Sequence, residues 1–81
     1  MNASLEDFGT GWVGIGLALS IDEIDAAISL LTKLKDDPGQ HFHFGSDYEG
    51  DGGIADIEFS VKSGSTLNNM NVIGLAIAPN R

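Results

Sequence analysis

The sequence predicts an α+β fold: one helix packed on one face of a four-stranded, mostly antiparallel sheet, in the order β-α-β-β-β. Three observations predict it. Residues 20–36 carry apolar side chains at helical spacing, between a capping signal and a Pro-Gly stop. Four other stretches alternate their side chains with period two. With 81 residues there is room for one small core, so these elements form one domain, residues 1–81.

Residues 1–10 read as a polar lead-in, with Leu5 and Phe8 free to pack onto the domain. Residues 12–19 form the first strand. Val13, Ile15, Leu17 and Leu19 fall on one face, and Trp12, Gly14, Gly16 and Ala18 on the other. The helix follows. Ser20 and Glu23 fit a capping box, and Leu19 and Ile24 stand at the positions of a hydrophobic staple. Asp22, Glu23 and Asp25 lie near the positive end of the helix dipole, Lys33 and Lys35 near the negative end. Ile21, Ile24, Ala27, Ile28, Leu31 and Leu34 make one apolar stripe. Asp37, before Pro38-Gly39, is disfavoured in the α region and ends the helix.

Residues 40–45 form the second strand, with Phe42 and Phe44 on one face and His41 and His43 on the other. Residues 46–53 are an acidic, glycine-rich loop. Residues 54–62 form the third strand, with Ala55, Ile57, Phe59 and Val61 inward and Asp56, Glu58, Ser60 and Lys62 outward. A turn over residues 63–69 leads to a fourth strand over residues 70–78. One helix covers one sheet face. The other face is expected to carry small residues (Gly14, Gly16, Ala18, Gly74, Ala76 and Ala78) beside His41, His43, Asp56 and Glu58, a surface suited to docking or to a homodimer.

The net charge is −8, and Lys33, Lys35, Lys62 and Arg81 are the only basic side chains besides the histidines. Four scattered cations make no stripe for nucleic acid or for an anionic membrane, whereas a basic protein partner would be attracted. The longest apolar-rich run, residues 12–19, is too short to span a bilayer, and residues 1–9 carry no cationic run ahead of an apolar core. The chain has no cysteine, so it can build neither a disulfide nor a thiolate metal site. A cytoplasmic protein is expected.

Three constellations bear on chemistry. Asp47, Glu49 and Asp51 alternate, Gly52 follows, and Glu58 falls at the twelfth place, close to EF-hand spacing. The flanks alternate as strands where an EF-hand has helices, and a strand through residues 54–62 turns Glu58 sideways, away from the loop. The second constellation is His41 and His43 beside Asp56 or Glu58, which gives nitrogen and oxygen ligands for zinc. The candidate metal ligands are therefore His41, His43, Asp47, Glu49, Asp51 and Glu58. The third uses the same histidines and carboxylates for acid–base catalysis. No GxSxG, phosphate loop or cysteine nucleophile accompanies it, so no enzyme and no cofactor is expected.

The run S-x-x-E-I-D…L-x-x-L (Ser20, Glu23, Ile24, Leu31, Leu34), followed by HFHF (41–44) and the acidic stretch 47–59, resembles small bacterial immunity proteins of polymorphic-toxin systems. The resemblance implies a small, acidic, cytosolic protein that binds and blocks a cognate toxin domain. On that reading the contact residues are His41, His43, Asp47, Tyr48, Glu49, Asp51, Asp56 and Glu58. A zinc- or calcium-binding module and a homodimeric structural domain are the alternatives.

Overall fold

The computed structural model describes residues 1–74. It contains β1 (Asn2–Asp7), β2 (Val13–Ala18), α1 (Ile21–Asp36), β3 (His41–Gly45) and β4 (Asp56–Ser60). The class is α+β, but the strands form two separate two-stranded antiparallel sheets, β1 with β2 and β3 with β4. The single four-stranded sheet expected from the sequence is thereby corrected. The cause is local. The residues read as a lead-in are a strand, and β1 pairs with one edge of β2 through a short turn, the other edge having no strand beside it among the described residues. Closing a nearby hairpin costs less loop entropy than pairing across the helix.

In that first hairpin Asn2 faces Ala18 and Asp7 faces Val13 across the ladder. Phe8 N–H continues the pairing, donating to Trp12 O at 3.1 Å. Gly9 and Gly11 take the left-handed backbone the turn requires, at φ 73° and 90°. Asp7 Oδ1 accepts from Gly9 N–H at 2.8 Å and tightens the reversal.

α1 begins as its capping signal predicts. Ser20 is the N-cap, its hydroxyl accepting from Glu23 N–H at 3.2 Å, while Glu23 Oε1 accepts from Ser20 N–H at 2.9 Å. Glu23 Oε2 also accepts from the Met1 ammonium at 2.6 Å, tying the start of the first hairpin to the start of the helix. The helix ends at Asp36, and Asp37 N–H donates to Lys33 O.

The core is small and lies between α1 and the second hairpin. Phe42 faces Phe59, and Phe44 faces Ile57. The Phe42 and Phe59 rings stack with centroids 4.7 Å apart, and Phe44 meets Phe59 edge-on at 4.9 Å. Leu34, 7% exposed, is the one buried hydrophobic side chain among the described residues. Leu30, Leu34 and Phe42 share a cleft between the end of the helix and the start of β3. The helical stripe is offset from this contact: Ala27 and Leu30 are half-buried, whereas Ile21, Ile24, Ile28 and Leu31 are exposed. A two-stranded ribbon is too narrow to cover the whole stripe.

Residues 63–66 turn as expected, with Thr66 N–H donating to Ser63 O and Lys62 Nζ donating to Thr66 O at 2.8 Å. The expected fourth strand does not form over the described residues 70–74, and its remainder, residues 75–78, lies outside them. Gly74 sits at φ 98°, a conformation that breaks an extended run. No helix among the described residues is long and apolar enough to cross a membrane.

Candidate functional site

The second hairpin carries the chemistry. Alternation along β3 puts Phe42 and Phe44 toward the helix and leaves His41 and His43 exposed. Alternation along β4 turns Ile57 and Phe59 inward and leaves Asp56, Glu58 and Ser60 exposed. The register then fixes the neighbours. His43 stands opposite Glu58, Gly45 opposite Asp56, and His41 opposite Ser60.

His43 is the centre of the group. Its Nδ1 lies 3.0 Å from Oδ1 and 2.9 Å from Oδ2 of Asp56. Its Nε2 lies 3.8 Å from Oε1 of Glu58. The His41 ring meets the His43 ring edge-on, with centroids 5.0 Å apart. One ligand-type atom from each of His41, His43 and Glu58 falls within 4.8 Å of the other two. No other such group of three forms among the described residues. All these side chains are exposed, so the group is a surface feature with open approach from solvent.

Asp47, Glu49 and Asp51 stand apart from that group. They belong to the loop joining β3 to β4, which is closed at its base by Ser46 N–H donating to Ala55 O. Inside the loop Ser46 Oγ accepts from Tyr48 N–H at 2.9 Å, and Asp47 Oδ1 accepts from Glu49 N–H at 3.2 Å. These bonds hold Tyr48 at φ 59°, a left-handed backbone costing about 1–2 kcal/mol for a side chain with a Cβ. Its ring is exposed at the loop surface. Glu58 sits on the strand face beside His43, so the EF-hand spacing does not return it to the loop carboxylates.

The small-residue face is altered by β1. The Phe8 ring sits over Gly14, where a Cβ would meet Cζ at 2.8 Å, and Ser4 Oγ lies 3.0 Å from the corresponding point on Gly16. The first hairpin thus covers part of this face with its own side chains. Ala76 and Ala78 lie outside the described residues. Asp56 was expected beside a histidine; that it accepts from His43 Nδ1, on the ring nitrogen away from Glu58, depends on a register that composition leaves open.

Comparison with protein families, with curated proteins and with solved structures gives no match to this chain.

Proposed function

We propose that this is a non-enzymatic, cytoplasmic binding protein of the immunity type, whose second hairpin engages a basic partner such as a toxin domain. The observation that carries the reading is the uncompensated charge of that hairpin. Asp47, Glu49, Asp51, Asp56 and Glu58 are all exposed. Among the described residues none of them pairs with a lysine or arginine; Asp56 and Glu58 meet only His43. An exposed surface of one charge sign attracts a cationic partner and steers its approach. Tyr48 adds an exposed aromatic ring amid the acids, the type of residue that anchors interfaces. His41 and His43 complete the face.

The test is association with a cationic protein. The purified chain serves as bait for products of neighbouring reading frames, and the rate of association is then followed against salt. Reversing Asp47, Glu49 and Asp51 to lysine together should slow association by about tenfold or more at low salt and flatten its salt dependence. An unchanged rate for the reversed variant would remove the loop from the interface. Recovery of only acidic partners would remove the reading itself.

A further inference from the structure

We infer that His41, His43 and Glu58 form a three-ligand surface site for a divalent transition metal of the zinc class, with Asp56 as the positioning residue. The inference is independent of the basic-partner reading.

The argument begins with His43. An ionised carboxylate can only accept hydrogen bonds, so Asp56, with both oxygens about as close to Nδ1 as a hydrogen bond allows, holds the proton on Nδ1. In the neutral ring the lone pair is then on Nε2, the nitrogen that faces Glu58. A carboxylate behind a histidine whose other nitrogen faces a second carboxylate is how proteins orient imidazole toward a metal. An ordinary cross-strand histidine needs one acidic neighbour. This one has two, on opposite ring nitrogens, with a second imidazole at its side.

The distances suit a small adjustment. Ligand bonds of about 2.0–2.1 Å in a tetrahedron put ligand atoms about 3.3 Å apart. His43 Nε2 and Glu58 Oε1 are already 3.8 Å apart, and the whole triad lies within 4.8 Å. Exposed His41 and Glu58 can close that gap by side-chain rotation, since the ladder they belong to is bonded through backbone groups. Two imidazoles and one carboxylate favour zinc-class ions over calcium or magnesium, which take oxygen ligands. Three protein ligands leave a fourth position open on the solvent side, for water or for a group from a partner.

Calorimetric titration of chelator-stripped full chain with zinc chloride tests this. One equivalent should bind to the wild type. Asp56→Asn should weaken binding about ten- to a hundredfold, because an amide no longer fixes the ring tautomer. His43→Gln and Glu58→Gln should weaken it at least as much. Neutralising Asp47, Glu49 and Asp51 should leave it unchanged. Long-range proton–nitrogen spectra should show His43 bound through Nε2, a signature that a purely structural histidine would not give. Circular dichroism on each exposed-site variant confirms that it folds. No zinc binding, heat with calcium but not zinc, or undiminished affinity in Asp56→Asn or Glu58→Gln would each overturn the assignment.

Discussion

The two hairpins share a geometry and differ in what backs them. Both are antiparallel ribbons with one apolar face and one polar or small face. In the first, Leu5, Val13, Ile15 and Leu17 remain exposed. In the second, Phe42, Phe44, Ile57 and Phe59 are all half-buried: Phe42 shares a cleft with Leu30 and Leu34 of α1, and Phe44 and Ile57 share one with Met1, Asn2 and Ala3. The helix meets the second hairpin through apolar packing around Leu34, and meets the first through the ion pair of Met1 with Glu23. A two-stranded ribbon is marginal by itself in water, so the backing decides its stability. The packed face of the second hairpin also bears on the candidate group. His41, His43, Asp56 and Glu58 project from strands whose opposite side chains are held, and a site built on such strands keeps its geometry.

The largest effect should come from breaking the apolar contact. Leu34→Ala removes the most buried side chain of the described residues and should destabilise the protein by about 2–3 kcal/mol, the low end for a buried leucine because a narrow ribbon can partly collapse onto the gap. Ile15→Ala, on the exposed face of the first hairpin, should cost less than about 1 kcal/mol. Urea unfolding followed by circular dichroism measures both. Equal losses would mean that the first hairpin is backed as firmly as the second.

The same contrast explains what was legible in the sequence. The helix was legible to its cap, because Ser20, Glu23 and the Pro38-Gly39 stop act within a few residues of one another. The inward and outward faces of β3 and β4 were legible because alternation is a local property, and the outward set included His41, His43 and Glu58. β1 was missed because Asn2–Asp7 has none of the β-branched or aromatic residues that mark a strand. Its signal was the Gly9-Thr10-Gly11 turn between Phe8 and Trp12, which reverses the chain toward β2. Partnership was legible for β3 and β4, which a short acidic loop joins, and not for β1 and β2. The latter pairing depended on recognising β1 as a strand, and its sequence carries no strand signal. The sequence left Asp47, Glu49 and Asp51 as candidate ligands beside Glu58, and strand geometry alone separated Glu58 from the loop. The bond from Asp56 to His43 required the register.

A smaller effect separates the cap from the tether. Ser20→Ala removes the hydroxyl that accepts from Glu23 N–H but leaves Glu23 free to hold Met1. The loss should be about 1 kcal/mol, the usual worth of an N-cap hydroxyl, and it should be read in the helical signal. A loss matching that of Leu34→Ala would show that the helix depends on its cap as much as on its buried apolar contact.

The smallest effect isolates the tether itself. Glu23 is held at a pKa of about 2 against an ordinary 4.5, first by the hydrogen bond from the Met1 ammonium and then by the Ser20 backbone N–H. A lowered folded-state pKa means that the unfolded chain takes up the proton first as acid is added. The stabilisation is therefore fully present above about pH 4.5 and is lost as the pH falls toward about 2. The pair is exposed to solvent, so the effect on global stability is small and weakens with salt. Local signals should show it clearly. In that acid window the amides of Asn2 and Ala3 should shift along the Glu23 titration curve, whereas those of Phe42 and Phe59 should not follow it. Glu23→Gln should abolish the dependence at Asn2 and Ala3. If both hairpins tracked Glu23 together, the helix would be coupling them as one body, and the division into an apolar-backed and a charge-tethered ribbon would fail.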